Sequence, residues 1–306
     1  MTKNVELMGF YQDRTVLGII MMVGFCITAP LLDVAAKLAA DKISTSQITS
    51  ARFIIQALIM LPVVWMLGFS FKLTHTSIKL LFLRAIFLII ATYCFVAAIA
   101  VMPIADALAI VFVEPFILLL MGKIIFGEKV GVRRIGASLV GFLGVVLVIQ
   151  PSFLAFGSVA FYPLGTAVSF AFYMLVTRGL SRYLHPIQMQ FHTAFLGSLI
   201  CLPVLFLGQL IGTQIFNVMM PEGIYWLWLF GVGFFASISH LLLSYALKFT
   251  PSATLAPLHY LEILSSVILG YLIFSDLPNR MAFTGMLIVV ISGLYIFFRE
   301  QKLARK

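Results

Sequence analysis

The sequence predicts an all-α polytopic membrane protein whose ten transmembrane helices form two inverted five-helix repeats. Its composition is the first reason: hydrophobic residues make up 62% of the 306 residues and charged residues 10%, against about 45–50% and 25% in soluble domains. The length of the apolar runs is the second, since they exceed the roughly 9–11 residues of a membrane β-strand and suit helices. An internal repeat, described below, is the third.

Each apolar run is long enough for a helix to cross the hydrocarbon core, which takes about 20 residues. The first run continues without a small-residue cleavage site, so we expect it to be a retained span rather than a signal peptide. The connections are short, which makes neighbouring helices antiparallel. The ten predicted spans cover residues 16–39, 46–67, 77–100, 104–122, 133–150, 160–180, 187–210, 224–247, 252–273 and 281–298.

The charges and motifs exclude several other classes of protein. The net charge is +9, but no basic run or stripe is present that could hold a nucleic-acid backbone. Cys26, Cys94 and Cys201 each lie within an apolar run and form no CxxC pair, so neither a zinc site nor a redox pair is expected. The motifs of serine hydrolases, zinc peptidases and P-loop NTPases are missing from the sequence, and we expect no catalytic residues, metal or cofactor.

The distribution of Lys and Arg predicts the orientation. With the ten spans above, 16 of the 20 basic residues fall on one side of the membrane, and this side is expected to be cytoplasmic. Both termini then lie in the cytoplasm, and we expect a multi-pass protein of the inner (plasma) membrane. The basic residues on the other side are Lys37, Lys42, Arg52 and Arg280.

The chain contains an internal repeat. An offset of 148 residues aligns helices 3–4 with helices 8–9 and places Pro103 on Pro251 and Glu114 on Glu262, and an offset of 141 aligns helices 1–2 with helices 6–7. The repeat predicts two units, residues 1–152 and 153–306. Because five helices is an odd number, the second unit enters the membrane from the opposite face. Inverted repeats are typical of secondary transporters, whose binding site lies near the midplane between the halves.

Several segments carry a resemblance to a known family. They are "AAIAVMPIADALAIVFVEPF", the "FGEK" that closes helix 4, "GFLGVVLVIQP", and "YALKFTPSATLAPLHYLEILSSVILGYLIFSDLP" in the second half. With them the chain resembles the EamA-type transporters of the drug/metabolite transporter superfamily, which implies a fold of two inverted five-helix repeats. Within that superfamily, "LLDVAAK" and "APLHYLEI" are similar to S-adenosylmethionine uptake carriers, and riboflavin carriers share a similar helix 9.

Two acidic residues stand out near the centres of helices 4 and 9. A carboxylate there costs about 2.5–3.5 kcal/mol on insertion scales and therefore needs a partner, a proton or water. Glu262 and Glu114 are each interpreted as a substrate or proton site, with a hydrogen-bonded packing residue as the alternative. Asp33 and Lys37 form an i, i+4 pair on helix 1. They either neutralise each other or receive the substrate between them.

Other polar residues are spaced along single helix faces, which predicts either cavity walls or interhelical hydrogen bonds. Tyr260 flanks Glu262 but lies about 200° round the helix from it. Arg52 and Arg84 are expected to reach the membrane surface along their own side chains. Gly136, Gly141, Gly144, Gly285 and Gly293 are expected at close helix contacts, and Pro115 and Pro257 at mid-helix kinks or hinges. The polar helix faces comprise His259, Glu262 and Ser266 on helix 9; Ser237, His240 and Ser244 on helix 8; and Thr166, Ser169, Tyr173 and Thr177 on helix 6.

Together these features predict a secondary carrier of a small organic metabolite. The carboxylates of Asp33, Glu114 and Glu262 outnumber the nearby cations Lys37 and Arg52. This balance favours a cationic or zwitterionic solute, similar to S-adenosylmethionine. A carrier of riboflavin or another neutral aromatic solute is the alternative, and a non-transporting intramembrane enzyme is the third hypothesis. The expected partners are the small-molecule substrate, the lipid bilayer and, as an open alternative, a coupling proton. The candidate substrate-binding residues are Glu262, Glu114, Asp33, Lys37, His259, Tyr260, Tyr173 and His240.

Overall fold

A computed structural model of the chain describes residues 15–69, 71–117, 121, 132–180, 183–250, 255 and 258–304. Every regular element in this part of the chain is helical. Two short 3₁₀ turns, Gly157–Phe161 and Gln214–Phe216, lie in connections. The helices are α1 (Thr15–Ala39), α2 (Thr45–Met66), α3 (His75–Ile99), α4 (Ile104–Val111), α5 (Val132–Phe156), α6 (Tyr162–Leu180), α7 (Pro186–Leu210), α8 (Tyr225–Phe249), α9 (Leu261–Phe274) and α10 (Arg280–Ala304).

Polar residues in the connections fix where long helices begin. The side chain of Ser44 accepts a hydrogen bond from the amide of Gln47 at the start of α2, and Thr74 accepts one from Ser77 at the start of α3. At the start of α7, His185 and the third helical residue cap each other reciprocally. Such caps satisfy amide groups that have no partner inside the helix. The boundaries therefore follow from local sequence as well as from the ends of the apolar runs.

Among the described residues, six helical stretches are long and apolar enough to cross a membrane, by length and composition. The prediction of a polytopic all-α membrane protein is therefore confirmed. The 43-residue stretch Ile135–Thr177 runs through both α5 and α6. The apolar parts of α9 and α10 are shorter, at Leu261–Phe274 and Arg280–Tyr295. The other qualifying stretches are Val16–Ala39, Thr45–Met66, His75–Ile99, Pro186–Leu210 and Tyr225–Phe249.

Helices from the first half of the chain pack mainly against helices from the second half. The most extensive contacts join α1 to α8, α5 to α10, α3 to α6 and α2 to α7, and α9 contacts both α1 and α4. When each helix is exchanged with the helix five places along, the set of the first four pairs maps onto itself. The centre of the molecule is therefore built from both halves.

Glycines allow α5 and α10 to meet backbone against backbone. A Cβ atom at Gly144 would lie 2.9 Å from the carbonyl oxygen of Gly285, and a Cβ at Gly285 would lie 2.5 Å from that of Gly144. The expected close contact is not found at Gly136, where an added Cβ would meet no atom of the described residues within 4 Å. An added Cβ would also collide at Gly141 and Gly293.

The helices predicted at 104–122 and 252–273 are interrupted near their centres, and the first interruption lies beside Pro115, where a kink or hinge was expected. In the first, a turn at Phe112–Val113 follows α4. Pro115 has no amide hydrogen for the carbonyl of Val111, so the regular hydrogen-bond ladder stops there. In the second, a turn at Tyr260 precedes α9. Pro251 and Pro257 lie outside the described residues.

The two interruptions lie at equivalent positions of the repeat. The offset of 148 residues that aligns Glu114 with Glu262 also aligns Phe112 with Tyr260. The rings of Phe112 and Tyr260 stack, with centroids 5.1 Å apart and planes inclined by 28°. The carbonyl oxygen of Leu258, near the second interruption, accepts a hydrogen bond from Cys26 Sγ at 3.2 Å. Glu114 and Glu262 therefore lie two residues beyond equivalent positions of the two interruptions, and both are buried.

Candidate functional site

A cavity of about 110 Å³ lies in the middle of the helix bundle. Its walls come from α1, α2, α3, α4, α6, α8 and the two interrupted segments, so both halves of the chain contribute. Aromatic side chains form part of the wall, namely Phe25, Phe95, Phe112 and Phe170. Aliphatic side chains of α1, α3 and α4 form another part. The polar and charged side chains in the wall are Asp33, Arg52, Thr92, Glu114, Thr166, Ser239, His240, His259 and Glu262.

Two of the carboxylates in this wall have no hydrogen-bond partner in the described part of the chain. Asp33 on α1 is 5% exposed and Glu114, next to the first interruption, is 3% exposed. Both line the cavity. A buried carboxylate without a partner is costly. Asp33 and Glu114 therefore face the cavity without a side-chain hydrogen bond to any described residue.

Glu262 differs because it already has a partner. Its Oε2 atom lies 2.9 Å from Nε2 of His259, one turn earlier in the chain. The imidazole ring of His259 lies between the rings of Phe25 and Phe112, at centroid distances of 5.5 and 5.2 Å. The prediction that His259 and Glu262 share one face is confirmed. The pair can hold a proton between an imidazole and a carboxylate in an apolar setting.

A chain of hydrogen bonds joins two buried arginines through His240. Arg52 donates to Nε2 of His240 at 2.7 Å, Nδ1 of His240 lies 3.3 Å from the hydroxyl of Tyr173, and Arg84 donates to the same hydroxyl at 2.6 Å. A guanidinium can only donate, so Nε2 of His240 must accept. The proton of His240 is therefore on Nδ1, and the imidazole is neutral. Tyr173 supports His240 from behind the cavity wall.

The expectation that Arg52 and Arg84 reach the membrane surface is wrong. Arg52 is 4% exposed and Arg84 is 0% exposed. Arg84 donates to the hydroxyls of Thr177 and Thr193 and to the carbonyl oxygen of Met189. Because α6 and α7 supply these acceptors inside the bundle, Arg84 has no need of water. The polar face of α6 around Thr177 is thus an interhelical hydrogen-bond seam with α3.

Lys37 does not pair with Asp33, which corrects the predicted i, i+4 pair. Its Nζ atom lies 2.8 Å from Oδ2 of Asp276 and 3.0 Å from the carbonyl oxygen of Met102. Asp33 points into the cavity, whereas Lys37, one turn further along α1, reaches the α9–α10 connection. Lys37 is absent from the cavity wall. It joins α1 to connections from both halves of the chain.

The remaining predicted residues divide between wall and support. Tyr260 is absent from the cavity wall; its ring stacks on Phe112, and its hydroxyl end packs against Gly293. On α8, the hydroxyls of Ser237 and Ser244 bond to carbonyls of their own helix, so that face is only partly a wall. The structure therefore places five of the eight candidate residues in the wall, together with Thr166 from the predicted polar face of α6: Asp33, Glu114, His240, His259 and Glu262.

Sequence reasoning missed Arg52, Thr92, Ser239 and the aromatic wall. A signal existed for Arg52, since a charge inside an apolar run marks a functional position. For the aromatic residues the sequence held no such signal, because four wall phenylalanines are hidden among 29 in the chain.

Comparisons with known proteins agree with this architecture. The model of the EamA-like transporter family matches residues 16–150 and again residues 157–298. The chain is 25% identical over 271 residues to a protein named S-adenosylmethionine uptake transporter from Rickettsia felis, covering 88% of each chain. It is 25% identical over 296 residues to a riboflavin transporter from Rhizobium johnstonii, covering 96% of this chain and 95% of that protein.

Two further comparisons extend the range of relatives. A pseudopaline exporter from Pseudomonas aeruginosa is 21% identical over 276 residues, covering 90% of this chain and 94% of that protein. A solved crystal structure superposes with a TM-score of 0.62 at 16% identity, covering 94% of this chain and 99% of the other. That likeness shows a shared fold. The named relatives are carriers of different small molecules.

Proposed function

Because the chain belongs to the EamA-like transporter family, we propose that it is a secondary carrier that moves a small organic metabolite across the inner membrane by alternating access. Membership of a transporter family argues against the third hypothesis, a non-transporting intramembrane enzyme. The proposed substrate binds in the central cavity between the two halves of the chain. Rocking of one half against the other then exposes the cavity to each side in turn.

The proposed architecture has ten membrane-spanning helices in two inverted units, residues 1–152 and 153–306. The two matches to the family model and the helix pairs that map onto themselves support it. The proposed orientation has both termini in the cytoplasm. Single cysteines at Lys42 and Tyr183, in a variant without its native cysteines, test it. Labelling of Lys42→Cys from outside and Tyr183→Cys from the cytoplasm is expected, and labelling of both from one side would contradict it.

The observation that carries the substrate class is the pair of buried, unpaired carboxylates in the cavity. Asp33 and Glu114 have no hydrogen-bond partner in the described part of the chain, and Glu262 lies in the same wall. A cation bound among them would compensate their charge. The aromatic wall would add a favourable cation–π interaction. These features support a cationic or zwitterionic solute such as S-adenosylmethionine, for whose uptake one relative is named.

A neutral aromatic solute such as riboflavin is the second candidate. The four phenylalanines in the wall offer surfaces on which a flat ring system could stack, and one relative is named a riboflavin transporter. Such a solute would leave Asp33 and Glu114 without a compensating charge. The cationic solute is therefore the better fit to the cavity.

A coupling proton is the remaining part of the proposal. The His259–Glu262 pair lies in the cavity wall and can take up or release a proton when a cation approaches. Uptake of substrate from one side would then be linked to release of the proton to the same side. Substitution of Glu262 therefore tests this coupling.

The test uses purified carrier in proteoliposomes with labelled S-adenosylmethionine. Exchange of labelled substrate and uptake driven by a pH gradient are measured for the wild type and for Glu262→Gln. Glu222→Gln is the matched control, since Glu222 lies exposed in the α7–α8 connection. Folding of each variant is checked by size exclusion.

Each outcome has a separate meaning. Loss of both activities supports a carboxylate that binds the substrate, with an expected cost of about 2–5 kcal/mol in binding. Exchange that survives while driven uptake is lost supports Glu262 as the proton-coupling site. Wild-type rates in both assays would return Glu262 to a packing role. Failure of the wild type to exchange S-adenosylmethionine, with exchange of riboflavin, would favour the second candidate.

A further inference from the structure

Arg52 is a buried cation in the wall of a cavity otherwise rich in carboxylates. We propose that Arg52 and Asp33 together form a subsite for the α-amino-acid group of the substrate, with the carboxylate on Arg52 and the ammonium on Asp33. This inference rests on the proposed function and adds to it a chemical class: a zwitterionic amino acid that carries a further cationic centre.

No carboxylate forms a hydrogen bond or an ion pair with Arg52 in the described part of the chain. One terminal nitrogen donates to the hydroxyl of Thr92 and the other to Nε2 of His240. Both acceptors are neutral. The Nε atom of Arg52 has no hydrogen-bond partner there. Burial of a guanidinium among neutral acceptors is costly, and an anion that reaches the guanidinium offsets this cost.

The surroundings of Arg52 hold it in place for such an anion. Nε2 of His240 accepts from Arg52, and Nδ1 of the same ring lies 3.3 Å from the hydroxyl of Tyr173. The hydroxyl of Ser239, beside His240 in the cavity wall, has no partner in the described residues. Thr92 accepts from Arg52, so that bond does not use its hydroxyl hydrogen. A planar guanidinium that shares a cavity wall with hydroxyl groups suits a carboxylate.

Asp33 supplies the second half of the subsite. It lines the same cavity and interacts electrostatically with Arg52, but no hydrogen bond joins the two side chains in the structure. An α-amino acid carries its ammonium and carboxylate on one carbon atom. It can therefore compensate a carboxylate and a guanidinium that face one cavity. Glu114 and Glu262 remain for the further cationic centre of the substrate.

The experiment compares two ligands that differ only at the group that Arg52 would bind. S-adenosylmethionine has the α-carboxylate, and its decarboxylated form lacks it while keeping the ammonium and sulfonium. Binding of each to the purified full-length carrier is measured by calorimetry. The wild type is expected to bind S-adenosylmethionine at least tenfold more tightly than the decarboxylated form.

Arg52→Gln is expected to abolish this preference. Its affinity for S-adenosylmethionine should fall at least tenfold, whereas its affinity for the decarboxylated form should change less than threefold. Arg280→Gln is the matched control, because Arg280 is exposed at the start of α10. Asp33→Asn should weaken both ligands, since both carry the ammonium.

Two smaller substitutions test the subsite if Arg52→Gln does not fold. If Arg52→Gln fails to fold, Ser239→Ala and Thr92→Val decide the question, and each should lower the preference for S-adenosylmethionine about threefold or more. An unchanged preference in both variants overturns the subsite.

The two levels of the proposal fail in different ways. Equal wild-type affinities for the two ligands, or an equal loss of both in Arg52→Gln, would overturn the subsite and leave the cation carrier standing. Failure of the wild type to bind either ligand would overturn the proposed substrate class and the subsite with it.

Discussion

Replacing Glu114 by Gln should stabilise the empty carrier and weaken its binding of a cation. Glu114 is 3% exposed, has no hydrogen-bond partner in the described residues, and lies near the like charge of Glu262. Removing its charge relieves both burial of an ion and repulsion. Since a charge at this depth costs about 2.5–3.5 kcal/mol, we expect a gain of roughly 1–2 kcal/mol in the free energy of unfolding.

The loss in binding follows from the charge that Gln no longer supplies. Two unit charges about 4 Å apart attract by about 4 kcal/mol at an effective dielectric constant of 20. The amide oxygen of Gln still accepts a hydrogen bond and retains part of this. We therefore expect the affinity for S-adenosylmethionine to fall roughly 30- to 300-fold.

Thermal unfolding and calorimetric binding of the same purified sample measure the two effects together. Glu262→Gln is the informative comparison, because Glu262 is bonded to His259 and its substitution should not raise the melting temperature. Opposite signs of stability and affinity in Glu114→Gln are the signature of a binding residue. A lower melting temperature with unchanged affinity would refute this reasoning, and so would no change in either quantity, which indicates a neutral, protonated acid.

Three further predictions concern the packing of the bundle. Arg84→Gln should lower the free energy of unfolding by about 3 kcal/mol or more, because the hydrogen bonds that Arg84 donates to two other helices are lost. In Arg84→Lys less than half of this free energy should be recovered, as measured by thermal unfolding. Gly285→Ala should lower the free energy of unfolding by about 1–3 kcal/mol, since the new Cβ would lie 2.5 Å from the carbonyl oxygen of Gly144. Gly136→Ala should be neutral or stabilising. Equal effects of the two substitutions would contradict the backbone contact. Lys37→Met should lower the melting temperature but change substrate affinity less than threefold, since Lys37 is outside the cavity wall, and a tenfold loss of affinity would return it to the binding site.

Composition and local pattern were sufficient to predict the class of the fold and most helix boundaries. The predicted spans 46–67, 187–210 and 224–247 correspond to α2 at Thr45–Met66, α7 at Pro186–Leu210 and α8 at Tyr225–Phe249. Such ends are set by the edge of an apolar run and by the cap beside it, which are features of neighbouring residues. The central acids were predictable for a similar reason, since a charge within an apolar run is conspicuous.

The partners of the charged residues were decided by the tertiary structure. Lys37 is bonded to Asp276, 239 positions away, rather than to Asp33 one turn earlier. Arg84 is buried among acceptors on α6 and α7 rather than drawn to the membrane surface. Both outcomes depend on which helices lie beside α1 and α3, and short-range sequence patterns do not contain that information.

The face that each helix turns to the cavity was also beyond the sequence. In a soluble protein the apolar stripe of a helix marks its buried face. In a bilayer, lipid and protein interior are both apolar, so the hydrophobic pattern does not distinguish them. Phe25 and Phe112 line the cavity, while Phe82 and Phe142 are exposed on the outside of the bundle. Only the packing of all the helices against one another determines which aromatic rings and which carboxylates meet in one site.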